Sequence, residues 1–128
     1  MKTAIATWGV ILSTAISGTA MAGALDECMV RGDQPAVTRC LLDAEKETQA
    51  ALHKAEGDAG KRARDIDAAT GRAPAAPALA KSMRAFADYR KAQCEFVRAM
   101  YSSGSGGEQA QLGCMIDITR RRVRELQT

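Results

Sequence analysis

"CEFVRAMYSSGSGGEQAQLGC", residues 94–114, sets a Ser/Gly stretch (Ser102 to Gly107) between two cysteines and two runs of helix-forming sequence. Cys94 stands seven residues before Tyr101, where the first run ends, and Cys114 stands seven residues after Gly107, where the second begins. At about 1.5 Å of rise per residue, both cysteines lie roughly 10 Å from the turn. An antiparallel helical hairpin therefore brings them to one level. Ala110 and Gly113 are small enough to let the helices approach to the Cα separation of about 5–6 Å that a disulfide requires. Gly104, Gly106 and Gly107 can supply the positive φ values of a tight reversal. The stretch predicts a helical hairpin closed by Cys94–Cys114.

Cys28 and Cys40 bracket a second break, Gly32 to Pro35, in the same manner, four residues before it and five after. Four cysteines allow three connectivities, and these two local pairings are the ones chosen here. An even number of cysteines without a C-x-x-C pattern, and with His53 as the only histidine, points to disulfides and an oxidising compartment rather than to zinc. No metal or other cofactor is expected.

The start of the chain agrees with export. Met1 and Lys2 precede a mostly apolar run from Ala4 to Ile16, and Ala20 and Ala22 place small residues where a signal peptidase reads them. Residues 1–22 are read as a signal peptide cleaved after Ala22, with residues 23–128 as one domain in the periplasm. An uncleaved anchor is the alternative, but Thr7, Ser13, Thr14, Ser17, Gly18 and Thr19 dilute its apolar character. The 106 residues from Gly23 to Thr128 suffice for one domain and not two. They carry 17 Lys+Arg against 15 Asp+Glu, too balanced for a nucleic-acid binder. The charge is uneven: residues 23–70 hold 7 basic and 10 acidic groups, residues 71–128 hold 10 and 5.

Along the domain, a short segment around Leu25 to Val30 comes first. Asp33 can then cap a helix that has Pro35 in its first turn. Val37, Leu41, Ala44, Leu52, Ala55, Ala59, Ala63 and Ile66 recur largely at three- and four-residue spacing, which predicts one long amphipathic helix to Thr70. Gly57 and Gly60 each weaken it by about 1 kcal/mol, which leaves room for a bend or a break near 57–60. After the proline-bearing connection at 71–80, a helix starts near Ala78, with Leu79, Met83, Phe86, Ala87, Arg90, Cys94, Val97, Met100 and Tyr101 on its face. A last helix carries Leu112, Ile116, Thr119, Val123 and Leu126. No alternating strand pattern occurs, so the fold class is all-α: a small bundle of helical hairpins with two local disulfides.

Two stretches, "FADYRKAQCEF" (86–96) and "CMIDITRRRVREL" (114–126), carry a family resemblance. The chain resembles the LprI-like lysozyme-inhibitor domain of exported bacterial proteins. That pattern has an aromatic three residues before Tyr-Arg, a cysteine four after the Arg and often Glu-Phe, here Phe86, Tyr89, Arg90, Cys94, Glu95 and Phe96. A later cysteine is followed by Thr, Arg and Leu at fixed offsets, here Cys114, Thr119, Arg122 and Leu126. The sequence departs from the pattern at Phe86, usually Trp, and at Lys91, commonly Asp. The resemblance implies a helical, disulfide-stapled protein that inhibits lysozyme or a related peptidoglycan hydrolase. Immunity to a secreted toxin, or a non-inhibitory envelope role, are the alternatives.

Candidate partner-binding residues follow, each with a plainer reading. Tyr101, Ser103, Gly104, Ser105 and Gly106 form an exposed loop on a stapled hairpin, either a binding element or simply a turn. Tyr89 and Arg90 either bind, or pack and bridge to a carboxylate such as Glu125. Arg122, within the run Arg120–Arg121–Arg122, either meets an anionic partner or offsets a helix dipole. Catalysis is not expected. His53 has no paired nucleophile, and oxidised cysteines cannot attack.

Overall fold

The structure is a computed structural model that describes residues 23–101 and 104–128. Four helices follow in order: α1 (Ala24–Met29), α2 (Gln34–Thr70), α3 (Ala75–Met100) and α4 (Ser105–Gln127). No strand occurs among the described residues. The expected signal peptide, its cleavage point and Ser103 lie outside the described residues.

Local chemistry sets most of the boundaries. The Asp33 carboxylate accepts the Ala36 N–H at 2.8 Å and Pro35 lies in the first turn, so α2 opens as its sequence predicts. It closes at Gly71, whose φ of 66° is the left-handed geometry that favours glycine. No break occurs at 57–60. Ala55, Ala59 and Ala63 keep one buried face in register across both glycines, and that packing outweighs their weak helix propensity. The helix α3 begins three residues before the expected Ala78. The carboxylate of Asp67, on the preceding helix, accepts the Ala75 and Ala76 N–H groups at 2.8 and 2.9 Å and so caps it from outside.

Helix α4 touches all three others. It runs in the same direction as α2. Near its start the Gln109 amide donates to the Gln34 carbonyl and the Thr38 hydroxyl at 3.2 and 3.0 Å; near its end the Leu126 carbonyl accepts from Arg62. Helix α3 runs back antiparallel to both and packs against each of them, while α2 and α4 also touch directly. Both disulfides form as expected, with Cα separations of 5.7 Å for Cys28–Cys40 and 5.6 Å for Cys94–Cys114.

The apolar interior has two parts. At the end holding the α1–α2 and α3–α4 turns, Ala24, Cys28, Val37, Leu41 and Ile116 are buried together, with Leu25, Cys40, Ala44 and Leu112 packed on them. Toward the other end, Leu52, Ala55, Ala59 and Leu126 form a second cluster beneath Leu79, Phe86 and Val123. Gly113 has a different role from the expected one. A Cβ there would lie 3.0 Å from the Leu25 side chain, so this glycine admits α1 rather than α3.

Candidate functional site

The stapled end carries four of the exposed large apolar side chains, while Leu42 and Ile66 are exposed elsewhere on α2. Tyr101 caps α3 and stays half exposed, next to Met100, and across from them Met29 and Val30 are exposed at the close of α1. Tyr101 walls two depressions at once. One, of about 270 Å³, lies between the turns and is lined by Leu25, Met29, Val37, Tyr101, Gly106 and Gln109. The other, of about 380 Å³, lies on the α3–α4 side against Glu95, Arg98, Gly104 and Gln111. Exposed apolar side chains concentrated around concavities are the usual mark of a contact surface.

Of the loop glycines, only Gly104 takes positive φ, at 130°; Gly106 and Gly107 are already inside α4. A Cβ on Gly107 would lie 3.3 Å from the Arg98 carbonyl, so that glycine keeps α3 and α4 close beneath the turn. Ser105 is described as the residue where α4 begins. Arg98 and Glu108 face each other across the hairpin at 3.5 Å, both largely exposed, an ion pair of little energetic weight. The buried Gln109 amide ties this hairpin to the start of α2. The loop is thus carried by a frame that two disulfides and a buried amide hold in place.

The structure separates the other candidates from this end. Arg90 does not reach Glu125. It donates to the Thr119 hydroxyl at 2.9 Å and stands over the Phe86 ring, 5.6 Å from its centroid. Arg122 lies over the same ring at 5.5 Å and donates to the Ser82 hydroxyl at 2.7 Å, with Glu125 at 3.5 Å. Its side chain is 14% exposed, and its Nε is buried with no hydrogen-bond partner among the described residues. The positions shared with the family pattern, Phe86, Arg90, Thr119 and Arg122, therefore form one packed cluster joining α3 to α4, in which the aromatic ring stabilises two guanidinium groups. The arginine run divides accordingly. Arg122 is packed inward, whereas Arg120 stays on the surface, paired with Glu27 at 2.9 Å.

Tyr89 goes the other way. It is 53% exposed and does not bury itself against a neighbouring helix. With Phe96 and Met100, both exposed, it follows one side of α3 at seven- and four-residue spacing and leads up to Tyr101. The spacing places Met100 and Tyr101 on the packing face of α3, yet both are exposed at its end, and it does not single out Phe96, Met29 or Val30 for this surface. A helix whose apolar residues occupy more than one stripe was the available signal for Phe96.

Among the described residues, no group of His, Cys, Asp or Glu could hold a metal ion, and no helix is long and apolar enough to cross a membrane. All four cysteines are in disulfides, and His53 is on an exposed face.

Fold and surface together define a small all-helical domain with a stapled end that exposes several apolar side chains. Residues 26–126 match the family described as lysozyme inhibitor LprI, and the chain belongs to that family. It is a family of inhibitors, not of enzymes. Over 62 residues the chain is 42% identical to an uncharacterized protein of Rhizobium meliloti (strain 1021), an alignment covering 48% of this chain. The same alignment covers 43% of that protein, so the chain matches less than half of the relative's length. No solved structure matches.

Proposed function

We propose that the protein is exported, loses residues 1–22, and acts in the periplasm as an inhibitor of lysozyme or a related peptidoglycan hydrolase, engaging the enzyme with its stapled end. Family membership supports the inhibitory activity. The observation that carries the choice of surface is that Met29 and Tyr101 line a depression between the turns, with their exposed chain neighbours Val30 and Met100 beside them, on a disulfide-held frame. Helices held in place by disulfides before binding lose little entropy on contact, so even a small apolar surface can give useful affinity. Tyr89 and Phe96 extend that surface along α3.

Charge sets the expected strength. The family-pattern half of the chain is the basic half, and Arg31 and Arg98 flank the tip. Against a cationic lysozyme, such a face gains no electrostatic steering. Inhibition should be no tighter than about micromolar and should strengthen as salt screens the repulsion. The test is a muramidase assay across a salt series, with wild type and a variant carrying Tyr101→Ala, Ser103→Ala and Ser105→Ala. The variant should lose inhibition while its far-UV circular dichroism stays unchanged. Nanomolar inhibition that weakens with salt would move the contact to the acidic α2 side. No inhibition at any concentration would overturn the reading. Intact mass should show residues 23–128 less four hydrogens.

A further inference from the structure

The entry to α1 is built around one carboxylate. Asp117, on α4, accepts the Ala24 N–H through Oδ1 at 2.9 Å, and Ala24 itself is fully buried. A Cβ on Gly23 would lie 2.7 Å from Asp117 Oδ2, closer than real Cβ atoms come. The Gly23 carbonyl is already engaged, accepting the Glu27 N–H at 3.0 Å. The Gly23 nitrogen is bonded to the same Cα as that imaginary Cβ, which places it within about 5 Å of Oδ2 by standard bond lengths and angles. The other charged groups around it are Asp26, Glu27 and Arg120. Arg120 makes its close contact with Glu27 at 2.9 Å and stands 4.0 Å from Asp117 Oδ1. The second carboxylate oxygen is the one facing Gly23.

We propose that Asp117 is the receptor for the N-terminal ammonium created when the chain is cut between Ala22 and Gly23. This rests on the cleavage reading above. In the uncut chain the Gly23 nitrogen is a neutral amide with one N–H. Cutting turns it into an ammonium with three donors and a full positive charge. At the start of a helix that charge opposes the macrodipole, so without a counter-ion processing would weaken α1. Facing Asp117, it gains an ion pair instead, and α1 is fastened to α4 just where Leu25 enters the space left by Gly113. Glycine at position 23 leaves the carboxylate the room it needs. Processing therefore tightens the same end of the molecule that the disulfides hold.

The test compares four exported proteins: wild type, Asp117→Asn, and each of these with Ser-Thr inserted between Ala22 and Gly23. After processing, the insertion carries the ammonium two residues away, up to about 7 Å. Asparagine still accepts the Ala24 N–H, and loss of the weak contact with Arg120 is common to both backgrounds, so it cancels. The expected result is that Asp117→Asn lowers the melting temperature about 4 °C more in the chain beginning at Gly23 than in the extended one. Equal drops, with mass confirming Gly23 as the first residue, would overturn this proposal alone. A mature chain starting elsewhere would overturn it together with the cleavage reading. Should Asp117→Asn fail to fold, acylation of the α-amine decides. It should be about threefold slower in native wild type than in the extended protein, since an ion-paired ammonium holds its proton longer. Equal rates would overturn the proposal.

Discussion

The two ends of the bundle are held by different means. At the stapled end, α1, α2 and α4 bury branched side chains, Val37, Leu41 and Ile116, against the Cys28–Cys40 disulfide, Cys94–Cys114 joins α3 to α4, and Gln109 links one hairpin to the other. Toward the open end, the buried face of α2 is almost all alanine: Ala55, Ala59 and Ala63 after Leu52. There α4 stops at Gln127, level with Arg62, and the remaining turns of α2 have only α3 beside them. Alanine buries little area, so this end rests on helix propensity and caps more than on apolar burial. Rigidity has been concentrated where the exposed apolar residues gather, and the far hairpin acts as a lighter strut.

Removing the staples should give the largest effect. Each closes a short loop and contributes about 3 kcal/mol, so reduction should lower the melting temperature by well over 10 °C. Thermal circular dichroism with and without reductant reads this directly, and an unchanged melt would remove the basis for the contrast. Core truncations come next. Ile116→Ala, at a fully buried position, should cost about 4 kcal/mol in urea unfolding, and Leu126→Ala in the open-end cluster about 2 kcal/mol. Equal costs would mean that the two clusters are equally well packed.

A smaller pair of effects should differ in sign. Gly57→Ala, in mid-helix with open space where a Cβ would go, should stabilise by about 0.5–1 kcal/mol. Gly113→Ala forces a Cβ to 3.0 Å from Leu25 and should destabilise by about 1–2 kcal/mol. The smallest effect belongs to Asp58, also toward the open end. The hydrogen bond and charge of Lys54, 2.7 Å away, hold its carboxyl below the usual range. A lowered folded-state pKa gives stability that is present above the unfolded value and is lost as pH falls through the folded one. Both side chains are largely exposed, so solvent screens the pair. Asp58→Asn should leave the melting temperature unmoved at neutral and acid pH alike.

The stapled end was the more legible of the two in the sequence. Counting residues from the turns paired all four cysteines correctly, because a helix has a fixed rise and a hairpin turns that rise into register. Asp33 and Gly71 marked the ends of α2 for equally local reasons. What escaped notice depends on contacts across the bundle. Asp67 starts α3 from the helix before it, Leu25 claims the space at Gly113, and Arg90 finds Thr119 rather than a carboxylate. Leu25 and Gly113, and Arg90 and Thr119, are far apart in sequence, and Asp67 reaches its partners across a turn, so no helical spacing rule covers them. The surface was legible in part. Tyr101 and the glycine turn were visible as an exposed loop, but the exposure of Tyr89 had to come from the packing of α3, since a tyrosine in an amphipathic pattern fits either side.

Both disulfides join cysteines that are neighbours in chain order, 12 and 20 residues apart, and neither encloses the other. This arrangement bears on how quickly the chain can mature. For Cys28, meeting Cys40 costs less loop-closure entropy than meeting Cys94, by about 1.5 kcal/mol. Random collisions in the unfolded chain therefore already favour the native partner. Each bridge can close while the other hairpin is unformed, and neither threads the chain through a covalent ring. Oxidative folding of this protein should be fast, with few mispaired species to reshuffle and little dependence on a disulfide isomerase.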